Sequence, residues 1–207
     1  MRPLPRLHAV TDHRILADPD LGRKAAAIAA LGPVAALVLR DRTGTTAHLA
    51  EAGRRFVALA RPPEAAVIVS ARADLALALG ADGVQLSVSD LAVADAREVM
   101  PRGWVGRSVH SAEEAKAAVD EGADYLVAGH VFATPTHPDR PAAGLELISA
   151  CAAFGLPVIA IGGVTEANAA QCRDAGAYGA AAIRALWDAD DPYAAARGLV
   201  APWTERE

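Results

Sequence analysis

The 207-residue sequence has few of the residues that build nucleic-acid-binding, membrane-spanning or disulfide-bonded proteins. Only 4% of it is aromatic, which argues against a surface for stacking bases. The two cysteines, Cys151 and Cys172, lack the spacing of metal ligands and fit a reducing compartment. No run approaches the roughly 18 apolar residues that span a bilayer, and the N-terminus lacks the apolar stretch of a secretion signal.

Basic charge is also scarce. The formal net charge of -5 gives no general attraction to nucleic acid or to an anionic membrane, so any anion site must be local. We therefore expect a cytoplasmic protein whose partners include neither nucleic acid nor a membrane.

Several familiar catalytic motifs are missing as well. No P-loop or serine-hydrolase elbow occurs, and no GxGxxG follows the first apolar segment. The scattered histidines and two distant cysteines do not form a zinc-binding pattern. These absences exclude the simplest nucleotide-binding, hydrolytic and zinc-dependent functions.

What the sequence does contain is an alternation of short apolar segments with alanine-rich amphipathic ones. The apolar segments are residues 7–12, 34–41, 65–71, 83–87, 104–110, 125–132, 157–163 and 179–186. Most are continuously apolar, as in parallel strands covered on both faces. In the fifth intervening segment, Ser111 is placed to cap a helix and Gly122 to end it. Eight such units predict an α/β fold, a single TIM-barrel domain over residues 1–207; a doubly wound open sheet is the alternative.

In a TIM barrel the functional residues gather in the loops after the strands. Gly162 and Gly163 follow the seventh strand, with Thr165 placed to cap the next helix, and predict a phosphate site; the alternative is a structural turn. Other candidates for substrate or phosphate binding stand at the ends of the remaining strands: Arg40, Arg42, Ser108, Thr134, Thr136, His137 and Arg184.

Several of these residues have two interpretations. Arg40 and Arg42 flank Asp41, so they either bind a substrate anion or form an ion pair at the rim. His130, at the end of the sixth strand, is either a proton-transfer residue or a core histidine bonded to a backbone carbonyl. Asp90 is either a metal ligand or an N-cap.

Two threonines and a histidine near the sixth strand are also ambiguous. Thr134 and Thr136 either donate to phosphate oxygens or cap a turn. His137, between two prolines, is either solvated or in contact with an anion. Each choice depends on whether a phosphate group occupies the same loop.

From end to end the chain resembles a known superfamily. The segments AVTD, LVLRDR, ARADLALALGADGVQLSVSD, GRSVHSAEEAKAAVDEGADYLVAGHVFATPTHP and PVIAIGGVTEANAAQCRDAG occur in its order. On these segments the chain is similar to the thiamine phosphate synthase and TenI-like thiazole tautomerase superfamily. The resemblance implies a barrel that binds a phosphorylated thiazole.

The superfamily has two chemistries. The synthase joins a hydroxymethylpyrimidine diphosphate to a thiazole phosphate with Mg²⁺, and Asp90 matches one of its magnesium carboxylates. Several other synthase positions differ in this chain: Val38 stands for a glutamine, Arg42 and His137 for lysines, and Ser70 and Ala71 for an Asn-Asp pair.

The tautomerase pattern is better preserved. His130 matches the tautomerase's catalytic histidine, and Ser108, Gly162 and Gly163 match positions that line the substrate pocket in both branches. Arg184 stands where a serine is expected. The resemblance therefore implies a thiazole tautomerase, an isomerase that needs no cofactor, with His130 transferring the proton.

In that interpretation Arg40 holds the ring carboxylate of the thiazole, and the double glycine holds its phosphate. The alternatives are the Mg²⁺-dependent synthase, a transferase, and a non-catalytic barrel that binds phosphate esters. A homodimer and contacts with other thiamine-pathway enzymes remain open.

Overall fold

The computed structural model describes residues 2–61, 64–134 and 141–204. Eight parallel strands form a closed barrel in chain order, which confirms the predicted TIM barrel. The strands are β1 (Leu7–Val10), β2 (Ala35–Leu39), β3 (Ala66–Ser70), β4 (Gly83–Leu86), β5 (Trp104–Val109), β6 (Tyr125–Gly129), β7 (Val158–Ile161) and β8 (Gly179–Ala182). All eight lie inside the predicted apolar segments. The assignment of residues 1–207 to one domain stays a prediction.

Helices connect the strands and cover the barrel. They are α1 (His13–Leu16), α2 (Leu21–Ala29), α3 (Thr46–Ala60), α4 (Ala73–Leu79), α5 (Val93–Val99), α6 (Ala112–Asp120), α7 (Gly144–Ala152), α8 (Glu166–Asp174), α9 (Arg184–Trp187) and α10 (Pro192–Thr204), with a short 3-10 turn at Gly32–Val34. Among the helices of the described residues, none has the length and apolar character needed to cross a bilayer.

The predicted helix boundaries around β5 and β7 are present. Ser111 caps α6, and its side chain accepts a hydrogen bond from the backbone N–H of Glu114 at 3.2 Å. Gly122, with φ of 85°, follows the end of the same helix. Thr165 is the N-cap of α8, and its backbone N–H donates to Asn168 Oδ1 at 2.8 Å. These caps fix where each rim loop ends.

Two apolar layers hold the fold together. The larger lies between the strands and the helices, and the smaller contains strand residues such as Val38, Ile68, Val127 and Ile159 but no helix residue. The smaller layer therefore fills the barrel. Burying each of these aliphatic side chains stabilises the fold by roughly 1.5–3 kcal/mol.

The pairing of strands shows which other side chains face the barrel interior. Gln85 pairs with Gly106, and Gly106 with Tyr125, which belongs to the interior layer. Ser108 pairs with Val127, another interior residue. Side chains two residues apart on a strand share a face, so the interior carries a short series of polar groups between its apolar walls.

Candidate functional site

Arg40 lies at the carboxyl end of β2, two residues after the interior residue Val38, and is half-buried. Its backbone is held by Thr11, whose Oγ1 accepts from the Arg40 N–H at 2.9 Å and donates to the Arg40 carbonyl at 3.0 Å. Its guanidinium makes no hydrogen bond or ion pair with any residue of the described ranges. A guanidinium withdrawn from water without a partner is suited to bind an anion.

The electrostatic surroundings of Arg40 are mixed. Burial and the neighbouring Arg42 lower its pKa, whereas the carboxylates of Asp12, Asp41 and Asp90 oppose that change. These five side chains therefore share one region of the barrel mouth. The site combines two cations with three carboxylates.

The rim ion pair considered from the sequence does not form among the described residues. Asp41 Oδ1 accepts instead from the backbone N–H and the hydroxyl of Thr43, each at 2.8 Å. Arg42 is exposed. Both arginines thus keep their guanidinium groups available for a ligand.

Asp90 is not the N-cap of α5. That helix begins at Val93 with Ala92 as its N-cap, and Asp90 Oδ2 accepts from the backbone N–H of Ser87 at 2.6 Å. Asp90 lies two residues before that N-cap, so its side chain stabilises the β4–α5 loop instead of the helix.

Only one carboxylate from the expected magnesium positions is present. β3 ends at Ser70, and Ala71 follows with φ of 66°. Within residues 2–61, 64–134 and 141–204, no group of three or more His, Cys, Asp or Glu side chains is arranged to hold a metal. Asp90 is thus the carboxylate that remains from the positions that the resemblance to the synthase assigns to magnesium.

The double glycine after β7 forms a tight turn. Gly162 and Gly163 have φ of 93° and 68°, a region that favours glycine. The Gly162 carbonyl accepts from the Phe132 N–H at 2.9 Å, and the Gly163 carbonyl accepts from Asn168 Nδ2 at 2.9 Å. The turn is therefore tied both to the loop after β6 and to the first turn of α8.

His130 packs directly against this turn. It is half-buried, and a Cβ added at Gly162 would overlap the His130 Cβ. The N–H of the next residue, Val131, donates to the Ile161 carbonyl at 2.9 Å. The structure thus brings the histidine and the double glycine together at one mouth, as their positions after β6 and β7 predict.

The remaining predicted residues fall into two groups. Thr134 is half-buried in the loop after β6, and Arg184 is exposed as the first residue of α9, directly beyond β8. Because β7 and β8 are paired neighbours, Arg184 follows the strand beside the double glycine. Thr136 and His137 lie outside the described residues.

Sequence reasoning missed the polar residue Gln85 inside the barrel. Its side chain is 8% exposed, and its Nε2 donates to Ser108 Oγ at 3.0 Å. The only signal was a glutamine between the apolar residues Val84 and Leu86 of the segment GVQLS. That signal does not say whether the side chain faces the barrel or the helices.

The cavities described away from the mouth lie near the amino ends of the strands. One, of about 290 Å³, is lined by residues that include Arg2 and Trp104. The other, of about 420 Å³, is lined by residues that include Arg6 and Tyr178. Function in this fold gathers at the opposite end, so neither is taken as the site.

Comparison with known proteins identifies the family. A sequence model described as thiamine monophosphate synthase matches residues 7–186. The chain belongs to this family. A thiamine-phosphate synthase of Pyrococcus furiosus is 37% identical over 187 residues, which are 90% of this chain and 88% of that protein. One of Thermus thermophilus is 43% identical over 171 residues, covering 81% of this chain and 82% of the relative.

Solved structures agree with the barrel. The thiamine phosphate pyrophosphorylase from Pyrococcus furiosus superposes with a TM-score of 0.81 at 36% identity, covering 95% of this chain and 93% of that one. A 3-hexulose-6-phosphate synthase reaches a TM-score of 0.67 at 23% identity, covering 93% of this chain and 96% of that one, and supports the fold alone.

These relatives correct the functional prediction. The interpretation as a thiazole tautomerase, an isomerase, is wrong, because the relatives at 37–43% identity are thiamine-phosphate synthases. The motif around His130 that favoured the tautomerase is a short segment, whereas the sequence identity to the synthases extends over most of the chain. The alternative made from the sequence, the synthase, is the one the comparisons support.

Proposed function

We propose that the chain is a thiamine-phosphate synthase, a transferase that joins a hydroxymethylpyrimidine diphosphate to a thiazole phosphate. The observation that carries the proposal is its likeness to relatives of that name over 81–94% of its length. The unpaired, half-buried Arg40 supports it, since a diphosphate supplies the anion that this guanidinium lacks.

In the proposed reaction the bond between the pyrimidine methylene carbon and the diphosphate oxygen breaks, and the oxygen keeps the electron pair. The thiazole nitrogen then forms a bond to the same carbon, and pyrophosphate leaves. Arg40 and Arg42 stabilise the charge that develops on the departing pyrophosphate, which is where fixed cations lower a barrier most. The buried aliphatic walls, including Val38 and Val127, exclude water from the pyrimidine cation.

The residues present fit a Mg²⁺ ion that arrives with the diphosphate. Mg²⁺ commonly uses one or two carboxylates together with phosphate oxygens and water, and Asp90 supplies one carboxylate here. Such an ion would neutralise part of the pyrophosphate charge. Asp90 would hold it from the β4–α5 loop, which its bond to Ser87 keeps ordered.

The thiazole phosphate is assigned to the turn of Gly162 and Gly163. Glycine backbone lets amide groups approach an anion closely, and the start of α8 follows the turn. Arg184 and Thr134, after the strands on either side of β7, add a guanidinium and a hydroxyl. His130 borders this phosphate as a contact residue and carries no proton-transfer step.

The test is direct. The purified chain, incubated with both substrates and Mg²⁺, is expected to form thiamine phosphate and pyrophosphate in equal amounts. Arg40→Gln should lower kcat/KM by about 10- to 100-fold, the effect of a lost charge-assisted hydrogen bond of roughly 1.5–3 kcal/mol. Arg102→Gln, an exposed change before β5, should leave it unchanged.

A barrel that bound both ligands without forming thiamine phosphate would contradict the synthase and favour the non-catalytic binder. Isothermal calorimetry with the thiazole phosphate alone separates this outcome from a failure to fold.

A further inference from the structure

Gln85 is held in one orientation inside the barrel. Its Nε2 donates to the Leu86 carbonyl at 3.1 Å and to Ser108 Oγ at 3.0 Å. If the amide nitrogen and oxygen were exchanged, the Gln85 oxygen would face the Leu86 carbonyl oxygen, and both are acceptors. The bond to Leu86 therefore requires the present orientation of the amide. The amide therefore offers an N–H to Ser108.

This bond fixes what Ser108 can do. A hydroxyl has one hydrogen to donate and two acceptor lone pairs, and Gln85 occupies an acceptor position. Among the described residues, no acceptor takes the Ser108 hydrogen. Ser108 is half-buried on the interior face, one residue before the carboxyl end of β5, which opens to the mouth. Its O–H is left to donate to a ligand.

The oxygen end of the Gln85 amide lies close to the Tyr125 ring. Gln85 Oε1 and the Tyr125 hydroxyl are both buried, and neither has a hydrogen-bond partner among the described residues. Both border Gly106, where an added Cβ would overlap Tyr125 Cζ and Gln85 Oε1. Buried polar atoms without partners are uncommon, and a bound water usually satisfies them.

The apolar side chains around Ser108 favour contact with the ring of the substrate and not with its diphosphate. Ser108 pairs with Val127, and Val38 is a further apolar wall of the interior, whereas the unpaired cation Arg40 lies at the mouth. A flat heterocycle with nitrogen acceptors fits against the apolar side chains at the mouth end of the interior layer, and a multiply charged group fits beside Arg40.

We infer that Gln85 is a positioning residue: steadied by a buried water shared with Tyr125, it holds Ser108 as the hydrogen-bond donor to a ring nitrogen of the bound pyrimidine. The inference rests on the proposed synthase function and deepens it. It gives this chain a polar contact to the pyrimidine although Val38 offers none.

The test compares two ligands of the same site. Gln85→Met, similar in length but without a donor, should raise the Kd of the pyrimidine diphosphate about three- to tenfold, the effect of one hydrogen bond between uncharged groups. The Kd of inorganic pyrophosphate, which has no ring, should stay unchanged. Gln85→His, which restores an N–H donor, should recover most of the lost affinity. Gln171→Met, an exposed change on α8, is the matched control.

Kinetics give a second measurement. KM for the pyrimidine diphosphate should rise in Gln85→Met while KM for the thiazole phosphate stays unchanged. Ser108→Ala should produce a similar loss, and the double variant should lose little more, because both changes remove the same contact.

Several results would overturn the inference. If Ser108→Ala weakens pyrimidine binding and Gln85→Met does not, Gln85 has no positioning role although the proposed function stands. Equal weakening of pyrophosphate and pyrimidine diphosphate would make Gln85 merely structural. Failure of the unchanged protein to bind the pyrimidine diphosphate would instead reject the proposed function.

If Gln85→Met does not fold, Tyr125→Phe replaces it as the test. This change removes one partner of the water, and it should raise the Kd of the pyrimidine diphosphate by about twofold, well under a full hydrogen bond, without changing that of pyrophosphate. An unchanged Kd for both ligands would contradict the inference.

Discussion

Acid should destabilise the protein through His8, which lies inside the barrel away from the mouth. The side chain is 2% exposed on β1, and its Nε2 lies 3.2 Å from the Pro5 carbonyl. Its ring meets Tyr125 edge-on, with centroids 5.5 Å apart. Burial lowers the pKa of His8 from 6.5 to about 4, against a smaller opposing effect of the Pro5 carbonyl. The folded protein therefore holds this imidazole neutral.

The magnitude follows from the two pKa values. Between pH 4 and 6.5 the unfolded chain binds a proton at His8 that the folded chain refuses, so stability rises with pH in that window. The contribution is complete above pH 6.5 and is lost as the pH falls towards 4. At about 1.4 kcal/mol for each pH unit, the loss is about 3 kcal/mol. That is a large share of the 5–15 kcal/mol or so that stabilises an ordinary domain.

The assay is urea denaturation at a series of pH values from 4 to 7.5, with the unfolding free energy of the unchanged protein compared with that of His8→Phe. The phenyl ring keeps the edge contact with Tyr125 and does not titrate. The difference between the two curves should change by about 3 kcal/mol across the window. His48→Phe, at an exposed site on α3, should give a curve parallel to that of the unchanged protein. Parallel curves for His8→Phe would refute the reasoning.

Three further predictions concern the mouth. Gly162→Ala should lower the unfolding free energy by about 1–3 kcal/mol and weaken thiazole phosphate binding, because φ is 93° and a Cβ would overlap His130. The control is Gly155→Ala, where φ is 81° and a Cβ would meet open space; calorimetry should show unchanged thiazole phosphate binding. Asp90→Asn should raise the Mg²⁺ concentration for half-maximal turnover about tenfold, as expected for a lost ion–carboxylate contact, whereas Asp95→Asn should not. His130→Asn should retain most turnover, and a loss of about 10²–10⁴-fold would restore a proton-transfer role.

The barrel was predictable because its strands are continuously apolar and its helices end in recognisable caps. The strand ends were less so. The segment 179–186 is predicted as strand throughout, yet β8 ends at Ala182 and α9 starts at Arg184. No Gly or Pro interrupts that segment, so a short apolar helix and an apolar strand have the same pattern there.

The site was predictable only in outline. Parallel strands carry their last residues to one rim, which is why Arg40, His130 and Gly162 are found at the same mouth. The role of Asp90 in its loop was not predictable, because its hydrogen bond with the Ser87 backbone depends on local geometry that residue type does not reveal. The functional prediction failed for a related reason: an imidazole at the mouth shows a capacity for proton transfer, but it does not establish that the reaction needs one.

The charges around Arg40 bear on how a diphosphate enters. Arg40 and Arg42 are opposed by Asp12, Asp41 and Asp90, so the mouth as a group is not strongly positive, and the chain as a whole carries a net charge of -5. A bare diphosphate approaching the guanidinium must also approach three carboxylates, which repel it. A diphosphate that brings its own divalent cation presents Arg40 with oxygen atoms and Asp90 with the metal, and so turns part of the repulsion into attraction. Pyrophosphate binding should therefore tighten when Mg²⁺ is added, and tighten much less in Asp90→Asn; equal tightening in both proteins would mean that the cation acts on the ligand alone.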